Sequence, residues 1–114
     1  MDDCIFCRIA NGEIPSDKLY EDDQLVAFRD INPQAPVHVL IVPKRHIQSV
    51  NGLKDGDAKL LGHMFETARN IATALGVSGS GYRIVVNTGE NGGQTVPHLH
   101  FHLLGGRALG WPPG

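Results

Sequence analysis

The run His98-Leu99-His100-Phe101-His102-Leu103-Leu104 carries three of the chain's six histidines at two-residue spacing. That spacing predicts a strand with His98, His100 and His102 on one face of the pleat and Leu99, Phe101 and Leu103 on the other. Placing three imidazoles in register gives up apolar burial worth about 1.5–3 kcal/mol per side chain. A strand that served packing alone gains nothing in exchange, so the histidine face carries chemistry and the opposite face carries core.

Two chemistries use imidazoles in this arrangement. Neutral imidazole is a common metal ligand, and alternate strand positions can converge on one zinc ion. A neutral imidazole can also attack phosphorus through one ring nitrogen while the other holds its proton against an acceptor. The preceding loop, Thr88-Gly89-Glu90-Asn91-Gly92-Gly93-Gln94-Thr95, favours the second. Its three glycines, amides and hydroxyls make a closely approachable backbone suited to an anion, with phosphate the obvious one. Taken alone, the same loop also reads as a plain hairpin connection.

The 114 residues imply a single domain spanning 1–114, large enough to bury about 60–70% of the surface its unfolded chain exposes. Ten basic and twelve acidic residues include no basic run of the kind that marks nucleic-acid binding, so a small anionic ligand needs local donors. The start Met1-Asp2-Asp3 is acidic where a signal peptide is basic, and no apolar run approaches a membrane span; the expected location is cytoplasmic. Cys4 and Cys7 form a Cys-x-x-Cys pair. In a cytosolic chain that spacing reads as a metal knuckle or redox pair, or as two small buried thiols. Zinc needs four ligands, and histidines elsewhere can supply two. The redox reading lacks the strand that precedes a thioredoxin-like pair.

Ile5, Phe6 and Ile9 predict one side of a short helix that ends at Asn11-Gly12. Lys18–Glu21 and Gln24–Arg29 read as strands about an Asp22-Asp23 turn, with Asp30 a cap or turn residue at the exit. Residues 37–42 are rich in β-branched side chains and bracketed by Pro36 and Pro43, predicting a buried strand in which His38 needs a polar partner. Leu60, Leu61, Met64, Phe65, Ala68, Ile71, Ala72 and Leu75 recur at helical spacing, with Asp55 or Asp57 at the start and Gly76 at the stop. His63 lies off this stripe and is assigned to solvent with no role. Tyr82–Asn87 reads as a further strand. Periodicity alone therefore yields a mixed antiparallel sheet with one long helix.

Gly92-Gly93-Gln94-Thr95-Val96-Pro97-His98-Leu99-His100-Phe101-His102 resembles the signature of the histidine-triad (HIT) superfamily. Phe28-Arg29-Asp30-Ile31-Asn32-Pro33-Gln34-Ala35-Pro36-Val37-His38, Val42-Pro43-Lys44-Arg45-His46-Ile47 and the tail from Gly105 to Gly114 are similar to its Hint branch, the histidine-triad nucleotide-binding proteins. The resemblance implies an α+β HIT-like fold: an antiparallel sheet of about five strands, one long and one short helix, and a sheet continued across a two-fold homodimer. It implies a purine-nucleotide hydrolase that cleaves P–N and related bonds of AMP or GMP phosphoramidates. His100 would be the nucleophile. His98 and the loop donors at Gly93, Gln94 and Thr95 would stabilise charge on phosphate, and His102 and Thr95 would pass a proton to the leaving amine. His38 would stand beside the three triad histidines. Ile5, Phe6, Ile9, Phe28 and Ile31 match the family's nucleobase slot, Asp30 its ribose contact and Asn87 its phosphate or sugar contact. Zinc would lie between Cys4, Cys7, His46 and His98 as structural support. Many Hint proteins lack these cysteines, and close relatives usually carry serine at the Thr95 position and tyrosine or phenylalanine at the Pro97 position.

The tail 108–114, with Leu109, Trp111 and two prolines, is too apolar and stiff for a solvated end. It should dock, either on its own subunit or, as in Hint proteins, across the dimer, where Trp111 would help bind the nucleotide. Two rival functions stand beside the phosphoramidase: a nucleotide-binding interaction module with little turnover, and a zinc hydrolase that uses the triad as ligands.

Overall fold

The computed structural model describes residues 3–114. The elements in chain order are α1 (Ile5–Ala10), β1 (Lys18–Glu21), β2 (Leu25–Arg29), β3 (Val37–Pro43), α2 (Ala58–Ala74), β4 (Tyr82–Val85) and β5 (Phe101–Gly105). The strands form one sheet in the order β1-β2-β3-β5-β4, with every neighbouring pair antiparallel. This is the α+β architecture expected, with five strands, one long helix and one short one. Among the described residues, no helix is long and apolar enough to cross a membrane.

Local chemistry accounts for the joints. Asp22 Oδ1 accepts the amides of Gln24 and Leu25, each at 2.8 Å, which closes the β1–β2 turn. Asp57 precedes α2, and Gly76, at φ +77°, takes the left-handed position that stops it. α2 packs one face of the sheet, burying Leu60, Met64, Ala68, Ile71 and Ala72 against Leu25, Ala27, Val39, Ile41, Phe101 and Leu103. α1 lies with Val26, Phe28, Leu40 and Val42 in a second, smaller cluster. β3 is buried along its whole length because both faces are covered.

Four expectations are corrected here. The histidine run does not form a strand from His98: pairing starts at Phe101. Extending the β3–β5 register, in which Ile41 faces Phe101, would set Pro43 opposite Leu99, and proline has no N–H to offer a ladder. Leu99 instead donates its amide to the Ile47 carbonyl beyond β3. β4 likewise ends at Val85 rather than Asn87, where its pairing with His102 stops. On α1, Phe6, Cys7, Ile9 and Ala10 form the buried stripe, and Ile5 is 48% exposed on the other side. His63 is not idle: its Nε2 lies 2.6 Å from Asp22 Oδ2 and ties α2 to the β1–β2 turn.

Met64 has no exposed surface at the centre of the α2 face. Met64→Ala should therefore lower the free energy of urea unfolding by about 2–5 kcal/mol at fixed protein concentration. A loss below about 1 kcal/mol would contradict this assignment of the core.

Candidate active site

In β3 and β5, Leu40 faces His102 and His38 faces Leu104, so the two histidines are diagonal neighbours on the sheet face that also carries Leu40 and Phe28. His38 Nε2 lies 2.9 Å from His102 Nδ1. His38 Nδ1 accepts the Gln34 main-chain amide at 3.0 Å, and Asp30 Oδ2 stands 3.5 Å from His38 Nε2. Asp30 Oδ1 is occupied by the Asn32 amide.

His100 is buried just ahead of the strand, 5.0 Å from the His102 ring centroid. Its Nδ1 lies 2.6 Å from the His98 carbonyl. A carbonyl only accepts, so Nδ1 carries the proton and Nε2 is left with a lone pair. His98 is locked in the same way: its Nε2 lies 2.8 Å from the Pro43 carbonyl, so its free lone pair is on Nδ1. Burial, the largest cause in every case, lowers the pKa values of His38, His98, His100 and His102, and holds these rings neutral at pH 7. His102 falls to about 4, because its neighbours His100 and His38 add to burial and Asp30 offsets only part of the effect.

The His98 lone pair points into a cluster with Cys4, Cys7 and His46, whose donor atoms all lie within 4.8 Å of one another. His98 Nδ1 is 3.2 Å from Cys4 Sγ, 3.4 Å from Cys7 Sγ and 3.2 Å from His46 Nδ1; Cys7 Sγ is 3.2 Å from His46 Nδ1. A tetrahedral ion with metal–nitrogen bonds of about 2.0–2.1 Å and metal–sulfur bonds of about 2.3 Å has edges of about 3.3–3.8 Å, close to these separations, so the four donors fit one. Both thiols are free, and burial together with the Cys4 neighbour pushes the Cys7 thiol up to about 11. Such a thiol is a poor redox nucleophile but ionises on a cation. Of the triad, only His98 belongs to this donor set, so chelation by all three triad histidines is not what the chain builds.

The remaining expected residues separate. Phe6, Ile9 and Phe28 are buried together, and the Phe6 ring stands 4.9 Å from His100 and 5.8 Å from Phe28. Ile31 is fully exposed and Ile5 half exposed, on ground open to a ligand. In the glycine loop, Gly93 donates its amide to Glu90 and Gln94 donates to Gly89. The expected row of free loop donors is thus corrected: those two amides are spent on the turn, and of the three only the Thr95 N–H makes no such bond among the described residues. Gln94 Nε2 bridges to the Gln48 and Val96 carbonyls, and Asn87 Nδ2 donates to Gly92 at 2.7 Å, so both side chains brace the loop. Trp111 is 84% exposed, beyond the point where Arg83 Nη2 donates to the Leu109 and Gly110 carbonyls. Sequence reasoning missed the Gln34 amide and the Pro43 carbonyl because they are main-chain groups, invisible in residue type. It also missed the ion pair of Arg45 with buried Asp57, beside His46.

Comparison with known proteins agrees with this geometry. Residues 11–109 match the HIT domain family model. A HIT-like protein of Synechococcus elongatus is 53% identical over 99% of this chain and 98% of its own length. The crystal structure of a HIT family hydrolase from Legionella pneumophila superposes with a TM-score of 0.97 at 52% identity, covering 98% of this chain and 100% of that one. A histidine triad nucleotide-binding protein from Candida albicans gives 0.82 at 36% identity, covering 96% of this chain and 82% of that one. With its triad, fold and nearly full-length relatives in agreement, the chain belongs to the HIT domain family.

Proposed function

We propose that this protein is a nucleotidyl hydrolase acting on the α-phosphate of purine nucleoside phosphoramidates through a covalent intermediate on His100. The observation that carries this reading is the 2.6 Å bond from His100 Nδ1 to the His98 carbonyl, which leaves Nε2 as the only available lone pair on a ring kept neutral by burial. Nε2 attacks phosphorus, the P–N bond breaks, and the departing amine takes a proton from His102 Nε2. Water then attacks the nucleotidyl-histidine and returns a proton to His102 Nε2, releasing the nucleotide and restoring both rings; two lower barriers replace one. The Thr95 amide and hydroxyl supply donors for the developing phosphate charge. The base lies against Phe6, Ile9 and Phe28 with Ile5 and Ile31 closing over it, and Asp30 takes the ribose hydroxyls. That the Candida relative is a histidine triad nucleotide-binding protein and the Legionella relative a HIT family hydrolase supports the substrate class.

His100→Ala should reduce turnover of adenosine phosphoramidate by about three orders of magnitude or more and abolish the base-stable, acid-labile radiolabelled adduct, with AMP affinity retained. Turnover within tenfold of the parent would remove His100 from the role of nucleophile.

Cys4, Cys7, His46 and His98 would hold zinc, which supplies a structural cross-link and no chemistry at phosphorus. The chain's own residues do the rest: His98 Nδ1 faces the donor set while its carbonyl fixes His100. Zinc should copurify at about one per chain, and Cys7→Ser should lower both zinc content and thermal stability. Native protein free of metal, with both thiols titrating freely, would contradict the assignment.

The tail is proposed to serve a second subunit. Trp111 projects from its own chain, and β4 and β1 are the sheet's two edges, either of which a two-fold partner would cover. Deleting residues 109–114 should change relative rates across amine leaving groups more than it lowers stability. A monomer in analytical ultracentrifugation at micromolar concentration, or unchanged relative rates, would overturn this role.

A further inference from the structure

The pair His38–His102 has an ambiguity that neither ring resolves. One hydrogen bond joins them, and two arrangements satisfy it equally: His38 Nε2–H donating to His102 Nδ1, or His102 Nδ1–H donating to His38 Nε2. Only the first leaves a proton on His102 Nε2, the nitrogen that the reaction proposed above requires to be a donor. A group outside the pair must therefore choose between them.

We propose that the Gln34 main-chain amide, held in place by Arg107, sets the tautomer of His38 and through it that of His102, so that the segment before β3 is a positioning element for the proton given to the leaving group. An amide N–H can only donate. Its 3.0 Å bond to His38 Nδ1 therefore requires a bare Nδ1 and puts the His38 proton on Nε2, where it points to His102 Nδ1. Asp30 Oδ2, 3.5 Å from the same nitrogen, favours the same proton position from the other side. Gln34 is fixed in turn. Arg107 Nε donates to the Gln34 carbonyl at 3.0 Å, and Arg107 Nη1 holds the Ala108 carbonyl at the same distance. Gly106, at φ +90°, lies so close beneath Pro36 that a Cβ there would come within 2.9 Å of the proline Cβ. The segment 34–36 is thus pinned from below by the chain leaving β5, and a string of contacts runs from Arg107 through residue Gln34 and His38 to His102.

This inference rests on the proposed function for its consequence but not for its test. Long-range nitrogen–proton NMR correlations on the full-length, histidine-labelled protein report the tautomer of each ring without substrate. In the parent, His38 and His102 should both give the Nε2–H pattern and His100 the Nδ1–H pattern. Gln34→Pro deletes the donor and should move His38 and His102 toward the opposite tautomer, leaving His100 as it was. Turnover should fall about tenfold or more with KM within about threefold, as for an impaired general acid. Arg107→Met, which removes only the brace at the surface, should shift the same two rings in the same direction, and supplies the reading if the proline variant does not fold. A folded variant of either kind in which His38 and His102 keep the parent pattern would overturn the proposal. The expected tautomer patterns and shifts in a parent protein that shows no phosphoramidase turnover would instead count against the phosphoramidase reading alone.

Discussion

The contact between His100 Nδ1 and the His98 carbonyl decides which nitrogen of the central histidine is free to react, and it exists because the sheet stops short. In a regular ladder, strand carbonyls point sideways to a neighbour. Pro43 ends β3 without a donor, pairing begins only at Phe101, and the His98 carbonyl is not drawn into the sheet. The same proline offers its own carbonyl to His98 Nε2. Pro43 thus orients the His98 ring directly, while the early end of β4 at Val85 leaves the His98 carbonyl unpaired by the sheet and able to orient His100.

His98 joins two systems that would otherwise be separate. Its ring completes the donor set with Cys4, Cys7 and His46, and its main chain holds His100. Outer contacts of this kind fix ligand orientation as firmly as the ligands themselves. Cys4 and Cys7 also set the start of α1 against His98 and His46, and α1 carries Phe6, whose ring edges up to His100. A helix of six residues has little stability of its own. Its burial of Phe6, Cys7, Ile9 and Ala10 against β2 and β3 holds it in place.

Much of this was legible in residue order. The two-residue histidine spacing singled out the three histidines that lie at and just ahead of β5, the helical recurrence from Leu60 to Leu75 identified α2, and Pro36 and Pro43 bracketed β3. What was not legible lies in main-chain groups and in registers. Nothing in the identity of Gln34 announces that its amide meets His38, since any residue but proline has one. The early end of the histidine strand needed the β3–β5 register, which puts proline opposite Leu99. The pairing of His63 with Asp22 spans 41 residues and depends on how α2 lies across the sheet. The loop amides of Gly93 and Gln94 looked available because glycine-rich turns expose backbone, and the turn consumes them itself.

The proposed reaction depends on one atom, Nε2 of His100, as the attacking group. Rapid alkaline quench during turnover of an adenosine phosphoramidate, followed by phosphorus–nitrogen NMR on the isolated adduct, identifies both the residue and the ring nitrogen that carry the nucleotide. The predicted product is a single species bonded through Nε2 of His100. An adduct on Nδ1, an adduct on His98 or His102, or turnover with no adduct at all would contradict it.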